Sequence, residues 1–431
     1  MFTMGKTAKR LLSILLTSCV ILCLFASPIQ SVASASKLMV AGGYSRSLAL
    51  LSDGTVWEWG LPHVIELVEP GDNSINLRNK PVKVSGLDDV CDIATGLNDS
   101  LALKSDGTVW AWGRSYYAQL GDDTTTKNVS PVHVMGLSDV VSIAAGDGFY
   151  LALKNDGTVW AWGGNGYGQL GDSTGIDSST PVRVLGIADV SAIAARGASA
   201  LALKQDGTVW AWGLEREIVV DVVGEWKSRS IPVKVSSLTN VSAIAEGNCF
   251  SLALKSDGTV WAWGWNDVGQ LGDGTRINRS TPLQVSGLTG VCAISAGDSH
   301  SLALKNDGTV WAWGWNYFGK LGGGTDAYST KPVQVSDLSG VIAIATGVHH
   351  SLAIKNDGTV WAWGGNSVGE LGDGTITTRV NPVQVARFNS FNTIHSATLY
   401  GWQMFVLGLV VGVGLVVKIV RYSRDPKNYV T

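Results

Sequence analysis

Seven near-identical repeats predict an all-β protein, a seven-bladed β-propeller of four-stranded units about fifty residues long. The intervals between successive repeats are 53, 50, 50, 51, 50 and 50 residues, a spacing typical of propellers and related repeat folds. The two terminal segments add an N-terminal signal peptide and a C-terminal transmembrane helix to this expectation. The shared pentapeptide Asp-Gly-Thr-Val-Trp begins at Asp53, Asp106, Asp156, Asp206, Asp257, Asp307 and Asp357.

The unit around residues 301–345 shows how four antiparallel strands arise. Residues 301–305 and 309–313 are rich in strand formers, and the Asp-Gly pair between them favours a tight hairpin turn. Residues 332–335 and 341–345 predict two further strands. The tryptophans of Trp-x-Trp are two residues apart and point to one side of the sheet, with Val and Ala on the other. A sheet that is apolar on both faces lies between packed layers, so we expect the units to stack into a ring.

The ends of the repeat array predict how this ring closes. Residues 38–43 match the Ile-Ala-x-Gly strand of a unit, and the chain leaves the array after residues 382–385 without such a strand. We therefore expect a propeller spanning residues 37–386 in which the N-terminal strand completes the seventh blade. An open solenoid is the alternative, but solenoids require atypical polar repeats at both ends.

The repeat text resembles the regulator-of-chromosome-condensation repeat family, in particular its bacterial secreted or membrane-anchored members. The resemblance rests on Ser-Leu-Ala-Leu, the Asp-Gly turn, Trp-x-Trp-Gly and Asn-x-x-Gly-Gln-Leu-Gly, and it runs from about Leu38 to Val385. It implies a seven-bladed propeller. Two copies depart from the pattern, because residues 61–80 and 214–231 replace the Asn-x-x-Gly-Gln-Leu-Gly text.

Residues 1–35 are expected to be a signal peptide. Lys6, Lys9 and Arg10 precede an apolar run over residues 11–26, and the small residues 33–35 offer a cleavage site. An uncleaved membrane anchor is the alternative interpretation of the same run.

Residues 399–420 are expected to form a transmembrane helix, joined to the propeller by a linker at 387–398. The stretch is long enough to cross a hydrocarbon core of about 30 Å, and a helix docked on the ring is the alternative. A short tail, residues 421–431, follows. The positive-inside rule places this tail in the cytoplasm and the propeller outside, because four basic residues flank one end of the span: Lys418, Arg421, Arg424 and Lys427.

Composition and motifs argue against several functions. With 32 basic and 35 acidic residues the formal net charge is −3, and the repeats carry no basic stripe, so we expect no nucleic-acid binding. No catalytic constellation stands out, so we expect neither an enzyme nor a cofactor. His349 and His350 lack a Cys or carboxylate at ligand spacing, and the Gly-Asp-Gly-Thr loops lack the alternating ligands of a calcium loop. We therefore predict no metal site and a monomeric propeller.

Sequence differences among the copies predict a binding surface. The Asp-Gly turns vary little, whereas the loops at the opposite rim hold most of the variation and both divergent segments. A rigid scaffold with variable loops on one face is the layout of a binding surface. The candidate contact residues are Tyr44, Arg46, Asp99, Phe149, Arg196, Trp226, Phe250, His300, His349 and His350.

Three functions are compatible with these features. The first is a membrane-tethered extracytoplasmic module that binds a protein or cell-envelope ligand, and the family resemblance permits it. The second, also implied by the resemblance, is guanine-nucleotide exchange on a small GTPase. In the family this activity uses an inserted wedge, for which the repeat spacing leaves little room. The third is an enzyme with an unrecognised site in the central channel.

Overall fold

The computed structural model describes residues 38–62, 77–114, 120–121, 128–216, 226–324 and 327–386. Within these residues, 28 strands form seven four-stranded sheets. The predicted signal peptide, linker, transmembrane helix and tail lie outside the described residues. In the part of the chain that is described, no helix has the length and hydropathy needed to span a bilayer.

The sheets, called blades 1 to 7, follow one another along the chain. Blade 1 contains β1 (Met39–Gly42), β2 (Arg46–Leu50), β3 (Val56–Gly60) and β4 (Arg78–Lys83). Blade 2 contains β5 (Val90–Thr95), β6 (Asp99–Lys104), β7 (Val109–Gly113) and β8 (Asn128–His133). Blade 3 contains β9 (Val140–Ala145), β10 (Phe149–Lys154), β11 (Val159–Gly163) and β12 (Ser178–Arg183). Blade 4 contains β13 (Val190–Arg196), β14 (Ser199–Lys204), β15 (Val209–Arg216) and β16 (Trp226–Lys234).

The remaining blades repeat this plan. Blade 5 contains β17 (Val241–Glu246), β18 (Phe250–Lys255), β19 (Val260–Gly264) and β20 (Arg279–Gln284). Blade 6 contains β21 (Val291–Ala296), β22 (His300–Lys305), β23 (Val310–Trp315) and β24 (Tyr328–Gln334), with a 3₁₀ turn at Tyr317–Gly319. Blade 7 contains β25 (Val341–Thr346), β26 (His350–Lys355), β27 (Val360–Gly364) and β28 (Arg379–Gln384).

Each blade is an antiparallel meander, and this corrects the predicted mode of closure. β1 pairs with β2 in register Met39↔Leu50 and so belongs to blade 1, while blade 7 is complete without it. In every blade the Ile-Ala-x-Gly strand pairs with the strand that follows it along the chain, so each blade boundary falls after the Pro-Val-x-Val strand. The ring closes by packing of β1 on β25 and β26 and by a hydrogen bond from the Val348 N–H to the Gly43 carbonyl at 3.1 Å.

The core lies between blades, as the Trp-x-Trp pattern predicts. Val260 and Ala262 of blade 5 pack against Trp313 of blade 6, and the same arrangement recurs at other boundaries. The second tryptophan of each pair is buried, whereas the first is partly exposed and donates its Nε1–H to the threonine two residues earlier. The first strands of successive blades contact one another and therefore line the central channel.

Candidate functional site: the variable rim

The variable rim consists of the loops that join the first to the second strand and the third to the fourth strand of each blade. The Asp-Gly turns lie at the opposite end of the strands, here called the Asp-Gly rim. In each blade, the loop between the first and second strands ends at the first residue of the second strand. We call this residue the strand-start position. These residues are Arg46, Asp99, Phe149, Ser199, Phe250, His300 and His350.

The strand-start side chains are buried between blades, which corrects six of the predicted contact residues. Arg46, Asp99, Phe149, Phe250, His300 and His350 are all at most 2% exposed. The reason is strand alternation, since Phe149 is in phase with Leu151 and Leu153 and packs with them against blade 4. That period of two is visible in the sequence and distinguishes these residues from surface loop residues.

The two buried histidines are neutral hydrogen-bond donors. His350 Nε2 lies 2.8 Å from Ser47 Oγ, and this hydroxyl itself donates to the Glu370 carbonyl, so the imidazole carries its proton on Nε2. His300 makes the equivalent bond to Ser351 Oγ at 3.0 Å. Burial, reinforced by nearby positive charge, holds the pKa of His300 well below its usual value and lowers the pKa of His350 to about 3. These residues stabilise blade boundaries and cannot act as bases for an external substrate.

Arg46 belongs to a buried polar cluster at the boundary of blades 1 and 2. Its Nη1 donates to the Asn98 carbonyl at 3.2 Å and lies 4.0 Å from Glu58 Oε1. Burial lowers the pKa of Arg46 and raises the pKa of Tyr150 well above its usual value, the latter beside Asp99. The cluster is therefore structural, and it explains why charged residues tolerate the strand-start position here.

Arg196 extends into the mouth of the central channel. It stands where six blades have a glycine, and its Nη1 reaches the Thr346 carbonyl of blade 7 at 3.5 Å. In five of these six blades a Cβ at this position would collide with the strand-start side chain; a Cβ on Gly146, for example, would lie 2.0 Å from the Phe149 ring. Blade 4 avoids the collision because its strand-start residue is Ser199. Burial lowers the pKa of Arg196, and the nearby Asp147 and Asp298 offset part of this lowering.

Tyr44 is exposed and His349 is half-buried, and both belong to a row of aromatic rings across blades 6, 7 and 1. We call this row the aromatic ladder: Trp315, Tyr317, Phe318, His349 and Tyr44. Consecutive ring centroids lie 5.2, 4.1, 5.5 and 5.5 Å apart. Tyr44, Tyr317 and Phe318 are 42%, 54% and 37% exposed. The ladder is the most extensive aromatic surface among the described rim residues.

Phe318 is held in a backbone conformation that disfavours its side chain. Its φ is +67°, whereas the equivalent Tyr167, Val268 and Val368 are not among the positive-φ residues. Non-glycine residues in this region cost about 1–2 kcal/mol, and such strain concentrates at functional sites. The sequence analysis missed Tyr317 and Phe318, although the two variable positions of Asn-x-x-Gly could have revealed them.

Two further candidates have different outcomes. Trp226 begins β16, and its side chain lies outside the described part of the structure.

Lys320, which sequence reasoning did not select, is buried beneath the ladder with its Nζ 4.8 Å from the Trp315 ring. Burial lowers the pKa of Lys320 to about 8. Among the described residues, no group of three or more His, Cys, Asp or Glu side chains is arranged to hold a metal ion.

The fold and its repeats match known proteins. The family described as RCC1-like domain matches residues 137–406, more than half of the chain. The chain belongs to the RCC1-like family. Single regulator of chromosome condensation (RCC1) repeats also match at residues 106–153 and 90–119.

Curated relatives match this RCC1-like chain only over short stretches. The human E3 ubiquitin-protein ligase HERC2 is 35% identical over 77 residues, which is 18% of the chain and 2% of HERC2. The ultraviolet-B receptor UVR8 of Arabidopsis thaliana is 39% identical over 57 residues, 13% of either protein. The chain therefore spans only a small part of the length of these relatives.

Solved structures show the same fold. Human WBSCR16 superposes with a TM-score of 0.66 at 23% identity, covering 77% of this chain and 93% of that one. Prp20p of Saccharomyces cerevisiae, described together with its binding to Gsp1p and histones, gives 0.62 at 24% identity, covering 74% and 82%.

Proposed function

We propose that this RCC1-like propeller is a membrane-tethered extracytoplasmic binding module that uses its variable rim to hold a protein or cell-envelope ligand. The observation that carries the proposal is the exposed aromatic ladder. Aromatic rings bury large areas at low rotamer cost and are enriched among the few residues that dominate binding energy. The positive φ of Phe318 supports a functional origin, since backbone strain concentrates at functional sites.

The rim around the ladder is also apolar. Ile277 and Ile376 occupy equivalent loops of blades 5 and 7 and are 60% and 55% exposed, and Val380 beside the 3₁₀ turn is 54% exposed. Exposed apolar side chains grouped on one face are a feature of interaction surfaces. Binding rather than catalysis is therefore the function that the rim supports best.

A comparison of two sets of variants tests the binding face. Full-length protein carrying Tyr44→Ala, Tyr317→Ala and Phe318→Gly is immobilised beside a control with Lys104→Ala, Lys204→Ala and Lys305→Ala on the Asp-Gly rim. Host envelope and secreted proteins are then captured and quantified. We expect the ladder variant to lose the specific partners by at least tenfold while the control retains them. Equal losses from both variants would place the contact surface elsewhere.

A cysteine-labelling experiment tests the membrane topology. Cys292 is exposed on β21, so it reports on the propeller once the other cysteines are replaced. A cysteine at Ser423, beside the basic cluster, reports on the tail. In intact cells an impermeant thiol reagent should label Cys292 and leave the Ser423→Cys site unlabelled. The opposite pattern contradicts the extracytoplasmic placement.

Nucleotide exchange on a small GTPase is the second candidate, and one observation favours it. β15 and β16 continue past Gly213↔Arg229 as a hairpin, through pairs Leu214↔Ser228 and Arg216↔Trp226. The 51-residue interval accommodates this longer hairpin because the usual loop is replaced and not lengthened. The hairpin replaces the usual loop and is not an insertion, so the expectation that the repeat spacing leaves little room for an inserted wedge stays a prediction. Release of labelled GDP from host GTPases, with and without the protein, tests this candidate.

A further inference from the structure

Most blade boundaries are sealed by a three-residue segment of the long loop, which we call the plug triplet. It comprises residues 169–171, 270–272, 320–322 and 370–372 at four boundaries, with the text x-Leu-Gly. The carbonyl of its first residue accepts the Nε1–H of the next blade's second tryptophan at 2.7–2.9 Å. At three of these boundaries it also accepts a serine hydroxyl at 2.8–2.9 Å.

The other two residues of the plug triplet complete the seal. The leucine is at most 2% exposed in every copy. The glycine carbonyl accepts the N–H of the residue after the fourth strand's valine, for example Ser286 N–H to Gly272 at 3.0 Å. The glycine itself is obligatory, because a Cβ on Gly272 would lie 2.8 Å from the Trp313 ring and 2.9 Å from Val285.

Blade 4 lacks the plug triplet, and a cleft remains at its boundary with blade 5. The cleft measures about 190 Å³ and is lined by Trp263, Ser251, Val235, Ser236 and Glu246. Trp263 is 9% exposed, whereas its six counterparts are 0% exposed. The strand-start residue is also reduced to Ser199, which donates to Glu246 Oε1 at 2.6 Å and fills less space than the phenylalanine in blades 3 and 5.

The cleft retains the hydrogen-bond donors that bind the plug triplet at the occupied boundaries. Trp263 Nε1 and Ser251 Oγ correspond to the pair that binds the first carbonyl, and the Ser236 N–H corresponds to the donor that binds the glycine carbonyl. In the described part of the chain none of these three donors has an acceptor. Val235 and Trp263 also stand where Val285 and Trp313 enclose Gly272. The cleft is therefore a plug-triplet site without its plug.

We propose that the blade 4–blade 5 cleft binds a loop of a partner protein that carries the triplet x-Leu-Gly. The four occupied boundaries show the chemistry of the occupant, namely two carbonyls and a leucine-sized side chain, with no Cβ on the last residue. The cleft is smaller than the roughly 300–1,000 Å³ of typical small-molecule pockets, which favours a single side chain and its peptide groups. Residues 214–216 pair with residues 226–228 in the hairpin of β15 and β16, so their backbone groups do not supply the missing triplet, although Leu214 lines the cleft.

This site lies on blades 4 and 5, away from the aromatic ladder, so it stands or falls independently of the proposed function. A suitable probe is a labelled peptide with residues 266–275 of this chain, Asn-Asp-Val-Gly-Gln-Leu-Gly-Asp-Gly-Thr. The control peptide carries Leu271→Asp and Gly272→Ala. Binding to the full-length protein is measured by fluorescence polarisation and by the indole ¹⁵N–H signals of its tryptophans.

Before peptide is added, the Trp263 indole proton should exchange with solvent faster than that of Trp212, which donates to the Gln169 carbonyl. The peptide should bind, slow that exchange and shift the Trp263 signal, whereas the control peptide should not. Ser199→Phe fills the cleft with the residue of blades 3 and 5, and Trp263→Phe removes one donor. Each should weaken binding at least tenfold, while Trp313→Phe, at the occupied boundary of blades 5 and 6, should change it less than twofold.

Several outcomes would overturn the proposal. They are a Trp263 indole as protected as that of Trp212, no binding at millimolar peptide, or equal binding to the Ser199→Phe and Trp263→Phe variants. A variant with residues 217–225 replaced by Asn-Gly should bind as the parent does. Binding by this variant alone would show that the chain's own hairpin tip is the occupant. A dimer that the peptide dissociates would show that a second copy is.

Discussion

The two rims of the propeller are made by the same seven repeats but obey different rules. On the Asp-Gly rim, each Thr Oγ1 donates to the Asp Oδ1 two residues earlier at 2.6 Å in all seven copies. On the variable rim, the strand-start residue is Arg, Asp, Phe, Ser or His, and its partner is a carbonyl for Arg46, a carboxylate for Ser199 and a serine hydroxyl for the two histidines. The comparison teaches that local hydrogen bonds make one rim uniform, whereas contacts between blades permit diversity on the other.

Deletion of the first strand should cause the largest loss of stability. Deleting residues 38–42 removes β1, which pairs with β2 and packs on blades 2 and 7. One edge of β2 is then unpaired and the ring is broken. We therefore expect that the variant shows no cooperative unfolding transition near the melting temperature of the parent. Calorimetry of the full-length protein measures this. Replacing residues 217–225 by Asn-Gly is a control that removes more residues from the variable rim. Melting of the strand deletion within a few degrees of the parent would contradict closure through β1.

Acid should weaken the variable rim before the Asp-Gly rim. His300 and His350 stay neutral in the fold because burial lowers their pKa values, so the unfolded chain takes up protons first as the pH falls below about 6.5. Each histidine should then cost about 1.4 kcal/mol of stability per pH unit. Hydrogen bonds from Thr208 and Thr259 lower the pKa values of Asp206 and Asp257, so the contribution of these aspartates to stability is retained above about pH 3.8 and lost below it.

Variants can show whether His300 and His350 cause the fall in stability as the pH decreases. His300→Phe and His350→Phe introduce the residue that blades 3 and 5 already carry, and together they should flatten the stability between pH 6 and 4.5. Denaturant titrations at each pH measure this slope. An unaltered slope in the double phenylalanine variant would show that other groups titrate.

Substitution of the strained Phe318 should change the free energy of unfolding by no more than about 1 kcal/mol. Phe318→Gly relieves the positive φ of +67° but removes ring contacts with Tyr317 and His349. We expect the two effects to offset, leaving the free energy of unfolding within about 1 kcal/mol of the parent. Val268→Gly, at the equivalent site of blade 5 without positive φ, should destabilise by about 0.5–1 kcal/mol. A larger loss at Phe318 than at Val268 would assign the ladder to stability and not to binding.

The smallest effect is expected on the Asp-Gly rim. Thr208→Val keeps the shape of the side chain but removes the hydroxyl that donates to Asp206 and accepts from Trp210. Because the turn is solvent-exposed and its backbone bonds remain, the melting temperature should fall by only about 1–3 °C. Thr158→Val in the neighbouring blade is a matched replicate and should behave alike. Widely different shifts at the two sites would contradict the uniformity of this rim.

The sequence by itself determined the repeat, the four strands of each blade and the division into a uniform and a variable rim. These features depend on local chemistry, such as the Asp-Gly turn, the period of two in Trp-x-Trp and the glycines of the loops. The burial of Phe149 and Phe250 was also present in the sequence, as their phase with the following leucines.

Only the tertiary structure decided how the ring closes and which rim residues are accessible. The pairing of β1 with β2 depends on where the blade boundary falls. The repeat sequence is compatible with β1 as the first strand of blade 1 and with β1 as the last strand of blade 7. The reach of Arg196 across the channel, the contact of Phe318 with His349 and the unfilled cleft beside Trp263 join residues from different blades. Such contacts arise from the stacking of blades, so no single repeat contains the information that places them.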